Sequence, residues 1–158
     1  MKIGKKIVSA ILVVCFGVTL LTGCGGGKEL TVSASELAEK LSQGVGFTDQ
    51  MSKAENRMFF TLYDVEETIV SDVALYVSTG ATAEEVAVIT VADSANLPKV
   101  EQAVRERVAS QKEGFENYVP EELTKLSDPV IRTSGNTVIL CVSDHNDKAN
   151  EIIDGVIK

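Results

Sequence analysis

The residues with the clearest chemistry are Leu21-Thr22-Gly23-Cys24, which close the apolar segment Ile7–Leu21 behind three lysines. Small residues in front of a cysteine are typical of a bacterial lipoprotein signal: a peptidase cuts between Gly23 and Cys24, and the Cys24 thiol carries a diacylglyceryl group. An uncleaved anchor is the alternative, but the apolar segment is shorter than the about 20 residues that span a bilayer. We therefore expect a signal peptide over residues 1–23, with Cys24 as the lipidation site.

Other reactive side chains give weaker signals. The single histidine, His145, follows Asp144, but members of a catalytic triad are assembled in space and not by adjacency in sequence. The oxygen-rich stretch 144–147 lacks the spacing of a calcium loop, and a helix cap explains it without a ligand. Cys141 lies in the apolar stretch 138–142, which is typical of a buried thiol and not of a nucleophile. We therefore predict no catalytic residue, metal site or cofactor.

Glu84 and Glu85 are adjacent carboxylates, and paired carboxylates can serve as a general acid and a general base. Neighbouring residues of a strand point to opposite faces, however, so this pair cannot converge on one bond. The sequence therefore favours a solvated strand end at this position.

The composition limits the partners and the number of domains that the chain can have. The chain has 15 lysines and arginines and 23 acidic residues, and removal of the signal takes away three lysines and no acid. The remaining 12 basic residues leave a net charge of −11, which disfavours nucleic acid as a partner. About 135 residues remain, enough for one domain with its own core.

The N-terminal part of the mature chain is predicted to be helical. A flexible glycine-rich tether is expected over residues 24–32. Ser33 and Glu36 form a capping box that opens a first helix. Ser52 and Glu55 repeat this pattern and predict the start of a second helix.

After the second predicted helix, the spacing of the apolar residues changes from that of a helix to that of β-strands. A first hairpin is predicted from strands at 73–77 and 86–91, joined by the turn Thr79–Ala83. A second hairpin joins Pro129–Thr133 to Thr137–Ser143, and the latter strand is apolar on both faces, which places it inside the sheet.

A long helix separates the hairpins, and a short helix follows the second. The apolar stripe of the long helix contains Leu97, Val100, Val104, Val108, Gln111, Phe115 and Tyr118. The last helix has the apolar positions Ala149, Ile152, Ile153, Val156 and Ile157. We therefore expect an α+β domain over residues 33–158, with an antiparallel four-stranded sheet made of two hairpins, each followed by a helix, behind a helical N-terminal part.

Several short motifs resemble an uncharacterised lipoprotein family of Gram-positive bacteria, known as a domain of unknown function. They are the lipid-attachment motif, the stretch Gly80–Val88, the helix end Tyr118–Leu123, and Gly135 ahead of Val138–Ser143. The resemblance covers nearly all of the mature chain and implies a lipid anchor and one domain. It implies no activity.

These observations predict an extracytoplasmic lipoprotein, held at the cell membrane by its N-terminal lipid, that acts as a binding or assembly module and not as an enzyme. The expected partner, besides the membrane, is a membrane or cell-envelope protein. Candidate binding residues are Thr82, Glu84, Tyr118 and Glu121, although Tyr118 could equally be the last core residue of the helix stripe. The alternative function is a hydrolase or metal-dependent enzyme that uses acids near His145.

Overall fold

The computed structural model describes residues 28–158, and this part of the chain forms five α-helices and one antiparallel sheet of five strands. The helices are α1 (Ala34–Gly44), α2 (Asn56–Tyr63), α3 (Leu97–Glu116), α4 (Leu123–Ser127) and α5 (Asn146–Asp154). The strands are β1 (Ser52–Lys53), β2 (Val70–Val77), β3 (Glu85–Val91), β4 (Val130–Ser134) and β5 (Thr137–Val142). The predicted α+β class is confirmed, and the predicted number of four strands is one too few.

The sheet has the strand order β1-β2-β3-β5-β4. Two hairpins, β2–β3 and β4–β5, are each followed by a helix, as predicted. The hairpins join through β3 and β5, which run antiparallel with Glu85 opposite Val142 and Thr90 opposite Thr137. Every residue of β5 is buried, which confirms its predicted place inside the sheet.

The additional strand corrects the prediction of a second capping box. Ser52 pairs with Val77 at the outer edge of the sheet, and the Ala54 amide donates to the Leu75 carbonyl at 2.9 Å. Glu55 occupies the N-cap of α2 without a side-chain capping bond. Because α2 begins only at Asn56, Ser52 precedes the N-cap and does not cap the helix. A strand of two residues also has no period that a sequence could reveal.

Successive residues of the central strands point alternately into two separate hydrophobic cores, one on each face of the sheet. The face towards α2 and α3 buries Val73, Leu75, Ala87, Ile89, Val138 and Leu140. The face towards α1 and α5 buries Ala74, Val86, Val88, Ile139 and Cys141. The sheet is therefore the middle of three layers, with α2, α3 and α4 on one face and α1 and α5 on the other.

The stripe of α3 is confirmed along most of its length, and Val104 is fully buried at its centre. The helix ends at Glu116, and the amides of Tyr118 and Val119 both donate to the Phe115 carbonyl, which closes a final turn. Tyr118 lies in this turn, after the end of α3, with 70% of its surface exposed, so its assignment to the core is wrong. The helical period no longer applies where the chain has left the helix.

The two ends of the described chain lie together. The Glu29 amide donates to the Lys158 carbonyl at 2.9 Å, and the Lys158 amide donates back to Glu29 at 3.1 Å. Of the residues predicted as a tether, Glu29, Leu30 and Thr31 therefore lie against the C-terminal residues. The signal peptide, Gly23 and Cys24 lie outside the described residues.

None of the helices within residues 28–158 combines the length and the apolar character needed to cross a bilayer.

Candidate functional site

Two buried acids mark one end of the sheet. Glu84 and Glu85 are 2% and 1% exposed, which contradicts the prediction of a solvated strand end. Their side chains do diverge as predicted, since Glu85 contacts residues of α2 and α3 whereas Glu84 contacts the loop after α1 and helix α4. A buried carboxylate needs compensating charges and donors, and both acids have them.

The Glu85 cluster comprises Glu85, Arg107, Gln111 and Tyr63. Arg107 binds Glu85 in a two-pronged ion pair, with Nη2 to Oε2 at 2.6 Å and Nε to Oε1 at 3.1 Å. Gln111 Nε2 donates to Oε2 at 3.2 Å, and the Tyr63 hydroxyl donates to Oε1. Burial, together with the neighbouring Glu85 charge, raises the pKa of Tyr63 well above its ordinary value, which keeps Tyr63 a neutral donor.

One buried polar atom of this cluster has no protein partner within the described part of the chain. Gln111 is 8% exposed, and because its Nε2 donates to Glu85, its amide orientation leaves the buried Oε1 without a donor. Arg107 uses both Nε and Nη2 on Glu85. The Gln111 Oε1 atom is therefore a buried acceptor of this cluster that no described residue satisfies.

The Glu84 cluster is built from three segments. Glu84 Oε1 accepts from the Thr48 amide at 2.9 Å, and Oε2 accepts from the Asp49 amide at 2.8 Å. Lys125 of α4 donates to Oε1 at 3.2 Å and is itself buried. The Thr82 hydroxyl donates to Oε2 at 3.2 Å, so two of the predicted binding residues, Thr82 and Glu84, lie in contact.

The cluster also joins the two loops that the sequence singles out. Glu122 accepts from Lys125 at 3.0 Å and from the Ala83 amide at 2.9 Å. On the other side of the turn 79–83, Asp49 accepts from the Thr79 amide at 3.0 Å. The turn 79–83 and the segment 118–122 are therefore fixed to one another by buried polar contacts.

The charge state of Glu84 makes the polar contacts of the Glu84 cluster sensitive to pH. Burial pushes the pKa of Glu84 upwards, but the amides of Thr48 and Asp49 and the Lys125 ammonium more than offset this and hold that pKa below its ordinary value. A carboxyl with a lowered folded-state pKa contributes stability that is complete above its unfolded pKa and is lost as the pH falls through the folded pKa.

We therefore expect the melting temperature of wild type to exceed that of Glu84→Gln most at neutral pH, and the gap to narrow in acid. Thermal melts from about pH 7 to about pH 3 bracket the ordinary carboxyl pKa values and measure this gap. Glu121→Gln is the control: because Glu121 is exposed, its substitution should change the melting temperature little at any pH. A gap that stays constant into acid would contradict the role of the Glu84 charge.

A cleft of about 300 Å³ opens between the turn 79–83 and the second half of α3. Its lining residues are Val77, Ser78, Gly80, Thr82, Glu84, Glu85, Arg107, Ser110, Gln111, Gly114 and Phe115. The Tyr118 ring lies beside it, with its centroid 6.3 Å from that of Phe115. The cleft therefore combines hydroxyls, the Arg107 and Gln111 side chains and an aromatic margin.

The four predicted binding residues differ in their location and exposure. Thr82 lines the cleft and Tyr118 is exposed at its margin, whereas Glu84 is buried beneath it and supports the loops. Glu121 is exposed, and its neighbour Glu122 makes the inward contacts instead.

Sequence reasoning missed five residues that build the site: Tyr63, Arg107, Gln111, Glu122 and Lys125. A weak signal existed for two of them, since Gln111 interrupts an apolar stripe and Arg107 stands one turn before it on α3.

His145 lies at a second cleft, of about 650 Å³, between the end of α1 and the start of α5. Its side chain is exposed. Three acids line the same cleft: Asp144, which directly precedes His145, and Asp147 and Glu151 of α5. None of the residues that line this cleft comes from α3. Within residues 28–158, no cluster of three or more metal-ligating side chains occurs. Cys141 is fully buried as predicted, and burial raises the pKa of its thiol to about 12.

The fold and the site define an α+β domain with a helix-covered antiparallel sheet and a cleft supported by buried ion pairs. The chain belongs to the family described as a domain of unknown function (DUF4358), whose model matches residues 44–143. The matched range contains all five strands and every residue of both clusters. No curated protein and no solved structure matches the chain.

Proposed function

We propose that this protein is an extracytoplasmic lipoprotein of a Gram-positive bacterium, anchored to the cell membrane through acylated Cys24, and that it is a binding or assembly module and not an enzyme. The proposed binding surface consists of the turn 79–83, the cleft beside α3 and Tyr118. The motif Leu21–Cys24 supports the anchor.

The observation that carries the binding role is the rigid joining of two surface loops beside an exposed aromatic ring. Tyr118 is 70% exposed, and aromatic side chains at the surface are frequent anchors of protein interfaces. Glu122 and Glu84 hold the neighbouring loops through buried bonds, so little conformational entropy is lost when a partner binds.

The chemistry of the cleft suits a neutral polar partner. The Arg107 charge is balanced by Glu85, and the Ser110 hydroxyl, which lines the cleft, can donate one hydrogen bond and accept another. A peptide group presents the complementary acceptor and donor, and an aromatic margin suits apolar side chains. We therefore propose a membrane or cell-envelope protein as the partner; the acidic mature chain is repelled by nucleic acid.

Photocrosslinking in intact cells tests the surface. A photoreactive amino acid replaces Ala81, which is exposed in the turn 79–83. We expect one discrete crosslinked protein with wild type and its loss with Tyr118→Ala. Met58→Ala is the matched control, because Met58 is an exposed large apolar residue on α2 that does not line the cleft. Loss of the product with both variants, or with neither, contradicts the proposed surface.

His145→Ala separates the binding role from the alternative of a hydrolase or metal-dependent enzyme. The binding proposal expects both capture of the partner and the phenotype of the cell to survive this substitution. A folded His145→Ala protein that loses the wild-type phenotype would favour the enzyme alternative, because a chemical or metal site would explain such dependence on an exposed histidine.

The anchor itself makes a further prediction. Cys24→Ala is expected to abolish lipid incorporation and leave unprocessed precursor, because the Cys24 thiol is the proposed attachment point. Metabolic labelling with a palmitate analogue measures this, with Cys15→Ala as the control, since Cys15 lies within the proposed signal peptide. Label that persists on the Cys24→Ala protein would overturn the anchor.

A further inference from the structure

We infer that the binding surface lies at the end of the domain opposite to the lipid anchor and therefore faces away from the membrane. This inference rests on the proposed function, because it takes Cys24 as the lipidated residue and the cleft as the binding site. It places the end of the sheet at the β4–β5 turn near the membrane and the end at the turn 79–83 away from it.

The N-terminal residues are fixed to one end of the sheet. The Lys28 carbonyl accepts from the Ser134 hydroxyl at 2.5 Å, next to the β4–β5 turn. Glu29 pairs with Lys158 and packs on the same turn, where a Cβ atom added to Gly135 would lie 3.1 Å from Glu29 Cγ. The chain therefore enters the domain at the β4–β5 turn.

The binding surface lies at the other end of the same strands. The β4–β5 turn adjoins the pair formed by Thr90 and Thr137, whereas the turn 79–83 adjoins the pair formed by Glu85 and Val142 at the opposite end of β3 and β5. The strand β3 that separates these ends has seven residues, which at about 3.3 Å per residue span about 20 Å. Helix α1 runs the same way, from Ala34 beside Asp72 to the loop that binds Glu84.

The covalent chain keeps the entry point near the lipid. Four peptide steps separate Cys24 from Lys28, and a fully extended chain covers at most about 14 Å in that number. The β4–β5 turn is then held within that distance of the anchor, and the cleft stands about a strand length farther out.

Charge opposes tilting of the cleft onto the membrane. Glu113, Glu116 and Glu121 are exposed at the α3 end that borders the cleft. An anionic lipid surface repels such acids over about one Debye length, roughly 8 Å at physiological salt. The outward orientation presents the cleft to proteins beyond the lipid headgroups.

Fluorescence quenching on vesicles tests the orientation with two matched alanines. Full-length acylated protein carries Ala81→Cys at the cleft end or Ala95→Cys at the opposite end, both at exposed positions, and a fluorophore is attached to the new thiol. Cys141 is buried and is not labelled in the folded protein. The vesicles contain phosphatidylcholine, phosphatidylglycerol and a lipid with a quencher on its headgroup.

We expect the Ala95→Cys label to be quenched several-fold more strongly than the Ala81→Cys label. Equal quenching, or stronger quenching at position 81, overturns the orientation while leaving the anchor intact. Flotation of the same samples reads out the anchor separately: protein that does not float with the vesicles overturns the proposed lipid attachment, and the orientation with it.

Discussion

Glu85→Gln is expected to lower the free energy of unfolding by about 3–5 kcal/mol, the usual result of removing one partner from a buried ion pair. The substitution preserves the volume of the side chain but leaves the Arg107 guanidinium, which is 17% exposed, without its carboxylate. It also weakens the acceptor that holds the Tyr63 hydroxyl and Gln111 Nε2. Urea unfolding followed by circular dichroism measures the loss.

The control for Glu85 is an acid in an exposed ion pair. Glu66 lies 2.7 Å from Lys99, and both side chains are about half exposed or more, so Glu66→Gln should change stability little. Equal losses for Glu85→Gln and Glu66→Gln would mean that the Glu85 cluster adds no more stability than a surface contact.

Val104→Asp is expected to abolish folding or to cost at least about 4 kcal/mol, because it places a carboxylate in an apolar core with no partner. Val104 is fully buried in the core between α3 and the sheet. A loss of that size is a large fraction of the stability of a typical domain, which is about 5–15 kcal/mol. Thermal unfolding by circular dichroism shows the change.

Glu106→Ala provides the comparison on the same helix. Glu106 is exposed and accepts one hydrogen bond, from Gln102 of α3, so its removal should leave the melting temperature nearly unchanged. Similar effects of Val104→Asp and Glu106→Ala would contradict the assignment of the buried face of α3.

Local patterns in the sequence determined most of the secondary structure. The stripe through Val100, Val104 and Val108 required a helix against a sheet, and the Ser33 hydroxyl caps α1 by accepting from the Glu36 amide at 3.1 Å. The two hairpins followed from strand periods on either side of glycine turns, and Gly80 and Gly135 have φ angles of 94° and 51°. Such features depend on residues a few positions apart, so a sequence displays them directly.

Only the tertiary structure decided the surroundings of Glu84 and Glu85. Their partners Arg107 and Lys125 lie 22 and 41 residues away along the chain, and no local period relates a buried acid to a base at that separation. A strand end with two acids favours solvent unless compensating groups arrive from elsewhere, and here α3, α4 and the loop after α1 supply them. The exposure of Tyr118 was decided in the same way, because it depends on where α3 ends and on what the following turn packs against.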